Sequence, residues 1–242
     1  MAMVGPWAMT IKSAAREAMT MDGVGLSKAP IPEPAARLLL NQLLSPAFPT
    51  GGFAYSQGLE VAMVAGAVHD AGSLTDWIDG VLRHGSGRID AILIAHARLP
   101  DADLLTLADL AYAFAPSAER AMEMRDQGQS FVQVVRALGH DLPPLPNALA
   151  VGAVTATLPL QTPEILGLYL QALAAQLTSA AVRFLPMSAS QGQAVIAHLA
   201  PLITQLAETC AEAPLSGLAS ATLGADHASM AHETLQPRIF RT

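Results

Sequence analysis

Charge is scarce in this 242-residue chain: 14% of its residues are Asp, Glu, Lys or Arg, against about a quarter in an average soluble domain. With 52% of residues apolar, so little charge cannot solvate a wide surface. Apolar area has to be hidden in a core, a membrane or a partner. Basic runs are missing too: 13 Lys and Arg stand singly against 20 Asp and Glu, for a net charge of −7. No stripe is left to neutralise phosphates, so a nucleic-acid partner is not expected. A lone cysteine, Cys210, excludes an internal disulfide and a cysteine-built metal cage, and it suits a reducing cytoplasm. Long hydrophobic runs are lacking as well. A membrane-spanning helix needs roughly 18–20 nearly uninterrupted apolar residues. The best stretch, 166–186, is broken by Gln171, Gln176, Thr178, Ser179 and Arg183. Lys12, Arg16 and Glu17 fall where a secretory signal would keep its apolar stretch or cleavage site. Neither a span nor a signal is expected.

What is present is helical periodicity. Residues 1–35 show none and end in spaced prolines (Pro30, Pro32, Pro34), which reads as a flexible extension. From there Leu38, Leu39, Leu43 and Leu44 form one stripe, stopped by Pro46. A Pro- and Gly-rich stretch at 45–52 reads as a shaped turn, and a helix resumes over 56–65. Ser73-Leu-Thr-Asp76 resembles a capping box and opens a helix to about His84. Further helices are expected over 88–99, 102–114, 117–138, 147–158, 162–184 and 188–211. Beyond Pro214 the pattern dissolves until a short segment from His232 to Arg241. Strand signals are almost absent. The expectation is an all-α, single-domain bundle of about eight to nine helices over 36–242.

Chemistry is hard to place on that frame. His227 and His232 are five apart, not the four that would align them on a helix face. The remaining histidines are solitary and read as packed or exposed rather than as ligands. Ser56 lacks the Gly-x-Ser-x-Gly of a nucleophile turn, and Gly51, Gly52 and Gly58 lack the Lys-Ser or Lys-Thr pair of a phosphate loop. Cys210 sits among Leu206, Ala207 and Ala211 and reads as packing. Glu119 and Glu123, with Arg120 and Arg125 beside them, read first as a solvated face of local ion pairs and second as a polar contact patch. No catalytic residue, cofactor or metal ligand is expected. The competing class, a helical ligand-binding or enzymatic domain with an interhelical pocket, would need convergent polar groups in the core. The sequence does not name them.

Four stretches resemble one family. Leu40-Asn-Gln-Leu-Leu-Ser-Pro-Ala-Phe-Pro-Thr-Gly-Gly-Phe-Ala-Tyr-Ser-Gln-Gly-Leu-Glu60 is similar to the leading motif of the UreF urease accessory proteins. Glu119-Arg-Ala-Met-Glu-Met-Arg-Asp-Gln-Gly-Gln129 resembles their middle helix, with Met124 and Asp126 as departures around Arg125. Ser179-Ala-Ala-Val-Arg-Phe-Leu-Pro186, followed by Gln191-Gly192, is similar to the end of their penultimate helix. Met230-Ala-His-Glu-Thr-Leu-Gln-Pro-Arg-Ile-Phe-Arg-Thr242 resembles their tail, departing at Ala231, Leu235 and Pro237. In order, these cover about 36–242.

The resemblance implies a cytoplasmic, dimerising, all-helical scaffold without catalysis of its own. It implies partners too: UreD (also called UreH) and the GTPase UreG, with which such a scaffold inserts nickel into apo-urease. It further implies that partner-binding residues lie within the matched stretches. In the first these are Pro49, Gly51, Gly52, Phe53, Tyr55, Ser56 and Glu60. The second supplies Glu119, Arg125 and Gln127, and the third Arg183. The tail supplies His232, Glu233, Arg238, Phe240 and Arg241. For the tail, two readings compete: Ile239 and Phe240 fold back on this chain's core, or Phe240 fills a partner's pocket. The resemblance favours the second, with residues 236–242 removable at little cost to the fold.

Overall fold

The first turn of the fold is set by Pro34 and Glu33, a rigid φ and an acid at the positive end of a helix. Helix α1 runs Glu33–Leu43 and buries Ala36, Leu40 and Leu43, one face at helical spacing. The computed structural model describes residues 31–242. The expected extension over 1–35 therefore lies outside the described residues except for 31–35, of which 33–35 already belong to α1.

Beyond α1, a loop with a short 3-10 turn, Gly52–Ala54, leads to α2, Leu59–Val64. Gly58 enters α2 at φ +80°, and a Cβ there would lie 2.5 Å from the backbone nitrogen of Ser229. Only glycine lets the loop sit this close to a later helix.

Helix α3, Ala71–His84, is capped by Asp70, whose side chain accepts from the Ser73 amide while Ser73 reaches back. The capping box therefore starts three residues before the Ser73–Asp76 stretch that suggested it. Then come α4 (Ser86–Ala97), α5 (Leu104–Ala113, capped by Asp103) and α6 (Ala118–Ala137, capped by Ser117). Next are α7 (Asn147–Thr155), α8 (Thr162–Phe184) and α9 (Ala189–Ala211), the last with a Ser188–Gln191 capping box. A 3-10 turn, Leu215–Gly217, precedes α10, Leu223–His232.

The described residues thus hold ten α-helices and no strand, in one compact unit, 31–242. The all-α, single-domain expectation holds, and the helix beyond its count is α10. That helix is built from Leu223, Gly, Ala and Ser, so no apolar stripe marked it.

Helix α4 is apolar on nearly every side (Ile89, Ala91, Ile92, Leu93, Ile94) and passes through the middle of the core. α7, equally apolar, packs on α4 and α6. α8 and α9 form a long helical hairpin against α3 and α4. Both are long and apolar enough to cross a membrane by length and composition, yet 56% and 44% of those stretches lie buried inside the protein. Their apolar faces are core, and Cys210 on α9 is fully buried, as packing requires.

Candidate functional site

Residues after α10 do not trail off. They run back across the start of α2 and the first half of α6, and side chains from all four matched stretches hold them there. Glu60, in the first turn of α2, is 1% exposed. Its Oε1 accepts the Ile239 amide at 2.7 Å and its Oε2 the Phe240 amide at 2.9 Å. The Arg241 amide donates to the Ala54 carbonyl at 2.8 Å, and the Ser56 amide to the Thr242 main-chain oxygen at 2.9 Å. The Ser56 hydroxyl donates to that same oxygen. The loop 54–56 and residues 241–242 are therefore joined through their backbones.

Beneath this segment lies a buried polar cluster. His232 sits with Nδ1 2.7 Å from Glu119 Oε2 and Nε2 3.0 Å from Glu60 Oε2. Arg238 bonds the other oxygen of Glu119. Glu123, fully buried, accepts from Arg120 at 2.8 Å, Gln127 at 2.9 Å and the Thr242 hydroxyl at 2.9 Å. Arg120 also faces Asp90 at 3.6 Å, and Tyr169 donates to Asp90 at 2.8 Å. Such charges are tolerable in a core only when paired. Burial drives the Asp90 carboxyl above its usual range, opposed by Arg120 and by the Tyr169 hydrogen bond. Burial works against the Arg120 charge, but Glu123 and Asp90 outweigh it and hold the guanidinium above its ordinary value. The Tyr169 hydroxyl is raised well above its usual value by burial first and Asp90 second. Glu233 accepts the Ala118 amide at 2.8 Å, an acid on the amino end of α6.

Two stacks tie the segment to the rim. The Arg183 guanidinium lies 3.5 Å from the Phe53 ring centroid and 4.7 Å from that of Phe240, and it donates to the Phe53 carbonyl at 2.8 Å. Arg241 lies over Tyr55 and donates to its hydroxyl at 2.9 Å and to Asp126 at 3.2 Å. Phe53 and Ile239 remain on the surface, 67% and 70% exposed.

Most residues singled out by resemblance therefore meet in one place: Phe53, Tyr55, Ser56, Glu60, Glu119, Gln127, Arg183, His232, Glu233, Arg238, Phe240 and Arg241. Gly52 adjoins them, and a Cβ there would lie 3.2 Å from Gln176. Pro49, Gly51 and Arg125 are exposed beside the cluster rather than in it.

Three expectations need correction. Glu119 and Glu123 are not a solvated face; they are 8% and 0% exposed. Phe240, favoured for a partner's pocket, is 3% exposed in this chain's own core. Residues 236–242 consequently cannot be removed without uncovering buried charge. Asp90, Glu123, Tyr169 and Thr242 were not anticipated as members of the site. A signal for Glu123 exists: Glu119, Glu123, Gln127, Phe131 and Val135 follow at intervals of four and all are buried, so the polar members simply head an apolar stripe.

A cavity of about 210 Å³ opens beside the cluster, with Leu43, Phe131 and Leu173 among its apolar walls and Asp90, Arg120 and Tyr169 on its polar side. Of these, Arg120 and Tyr169 are each already paired with Asp90. Among the described residues no group of three His, Cys, Asp or Glu side chains is placed to hold a metal ion. The histidine of the cluster meets its two carboxylates on opposite sides of the ring, which is not a chelating arrangement. The arrangement's chemistry is that of a clamp: it fixes a chain segment and presents a rim of arginine, Phe53 and Ile239.

Comparison with known proteins bears on this clamp. Residues 68–200 match the UreF family model. A urease accessory protein UreF from Cereibacter sphaeroides (strain KD131) is 54% identical over 209 residues, covering 86% of this chain and 99% of the relative. The corresponding protein of Paracoccus denitrificans is 51% identical over 209 residues (86% and 97%), and that of Roseobacter denitrificans 44% over 210 residues (86% and 94%). Identity at this level over 86% of the chain, with the four matched stretches meeting at one site, leaves one assignment: this chain belongs to the UreF family of urease accessory proteins.

Proposed function

We propose that the chain is a non-catalytic scaffold in urease maturation, acting with UreD (UreH) and the GTPase UreG in the cytoplasm to insert nickel into apo-urease. One observation carries this reading: the four stretches that mark the family converge on a clamp whose buried carboxylates hold chain, not substrate. A scaffold is built this way because its task is to keep a surface in shape. The docking surface is the rim around the seated segment, where Phe53, Ile239, Arg183 and Arg241 stand exposed, with Pro49, Gly51 and Arg125 beside it. Nickel is cargo in this scheme, and GTPase regulation follows from docking rather than from a catalytic group here. Homodimerisation belongs to the same reading. Exposed Leu38, Val64, Leu105 and Leu223 are apolar surface that the sparse charges do not cover. An obligate interface would bury on the order of 2,000 Å² or more.

The test is a pull-down of urease, UreD and UreG on the purified chain, with and without GTP, using the parent and Phe53→Ala. Phe53 is mostly exposed, so the substitution should move the melting temperature little and reduce partner capture strongly. Unchanged capture beside a large loss of stability would make Phe53 a folding residue and remove this rim from the reading. Light scattering showing a monomer at micromolar concentration, alone and with UreD, would remove the dimer.

A further inference from the structure

His232 closes α10 with no exposed surface, and each of its ring nitrogens meets a carboxylate oxygen, Nδ1 at 2.7 Å and Nε2 at 3.0 Å. Each contact needs a proton between its heavy atoms, because two lone pairs facing each other at this distance repel, and strongly so in a buried site. A neutral imidazole supplies one such proton, the imidazolium two. The other partners of both glutamates are donors, two amides on Glu60 and the Arg238 guanidinium on Glu119, which calls for acceptor-only carboxylates and leaves the second proton on the ring. We infer that His232 is a buried imidazolium and that its second proton is the latch that seats residues 239–242.

Charge balance supports the assignment. Glu60 on α2 and Glu119 on α6 face the ring, and Arg238 from the C-terminal segment faces Glu119. With an imidazolium these four charges cancel; with a neutral ring a negative charge stays buried. Farther along α6, Arg120 and Glu123 pair with each other. On α10 itself Asp226 is bonded to Ser220 and Thr222, and Glu233 to the Ala118 amide; His227 is the remaining titratable group of that helix.

The coupling to the segment runs through Glu60. Its Oε2 accepts from both His232 and the Phe240 amide, and its Oε1 from the Ile239 amide. When the ring gives up the second proton, a lone pair faces a carboxylate oxygen. Either the carboxylate turns away or the ring rotates, and the two amides lose their acceptor. The latch is thus closed while His232 holds both protons and opens as pH rises past their release. This concerns the chain alone and does not depend on which partners it binds.

The experiment uses the full-length protein labelled with nitrogen-15. Ring nitrogen shifts of His232 and hydrogen exchange at the Ile239 and Phe240 amides are followed between about pH 6 and 9, with exchange expressed as protection relative to the unstructured rate and an α8 core amide as reference. At the acidic end both ring nitrogens should carry protons. Protection of the two amides should then fall about tenfold or more in step with the ring's titration, while the α8 amide holds. His232→Gln, neutral at every pH, should show low protection that does not change with pH. A ring nitrogen already unprotonated at the acidic end, or protection independent of the ring's state, overturns the inference. If His232→Gln does not fold, the two measurements on the parent decide by themselves.

Discussion

Replacing Glu60 by alanine removes the acceptor on which the C-terminal segment turns. Three donors lose their partner: the Ile239 and Phe240 amides and the His232 ring. An unpaired buried donor costs about 1–3 kcal/mol, and one half of a broken buried charge pair about 3–5 kcal/mol. The full sum is not paid, because the segment can lift off and let water satisfy the donors. Lifting forfeits the burial of Phe240, roughly 1.5–3 kcal/mol, together with its stack on Arg183. The cheaper route sets the loss, at about 2–5 kcal/mol. For a domain of this size each kcal/mol moves Tm by about 2–4 °C, so a fall of about 4–20 °C is expected. Thermal melts by circular dichroism measure the fall, and hydrogen exchange at residues 239 and 240 shows whether the segment has left. A melting temperature within about 2 °C of the parent, with both amides still protected, would refute the reasoning. It would mean that Glu60 is not what holds the segment.

Deletion of residues 236–242 should lower Tm at least as much as Glu60→Ala, since it uncovers Glu60, Glu119 and Glu123 together; an unchanged melt would show that the cluster is indifferent to its cover. Gly58→Ala places a Cβ 2.5 Å from the Ser229 nitrogen at φ +80°, so equilibrium denaturation should show a loss beyond the roughly 1–2 kcal/mol of the left-handed conformation alone. Asp90 has its folded-state proton affinity raised, chiefly by burial, so the folded protein holds more protons than the unfolded chain just above pH 4, and stability on this account falls as pH rises through that window. Asp90→Asn should remove this slope, which urea midpoints at about pH 4.5 and 7 would show; an unchanged slope would place the titration elsewhere.

How much of this could be read from the residues depends on where the information lay. Helices with an apolar stripe, or with a proline and an acid in the first turn, such as α8 with Pro163 and Glu164, are legible because the signal is local. Helix α10 is not, because its positions are chosen by what the helix touches: Ala228 and Ser229 are small where the backbone at Gly58 presses against them. The four matched stretches marked where the site is, but not what its residues do. Glu119 and Glu123 look like surface residues because glutamates usually are; what buries them is Arg120 beside them, and His232, Arg238 and Thr242 more than a hundred positions away. For Phe240 the sequence showed only an apolar residue seeking cover. Its own chain provides that cover, through a glutamate 180 residues earlier.

That separation has a consequence for how the molecule is made. When α2 and α6 leave the ribosome, Glu60 and Glu119 are facing inward with their cationic and amide partners, His232, Arg238 and the 239–240 amides, not yet translated. The helices around them can associate early, but their polar centre stays hydrated until His232 and the residues after it arrive. Closing so long a loop is slow relative to local helix formation. The stretch made after all ten helices is therefore the one that completes the interior. A chain cut short before His232 should persist as a helical, loosely packed species, a natural client for holding factors until residues 232–242 are in place.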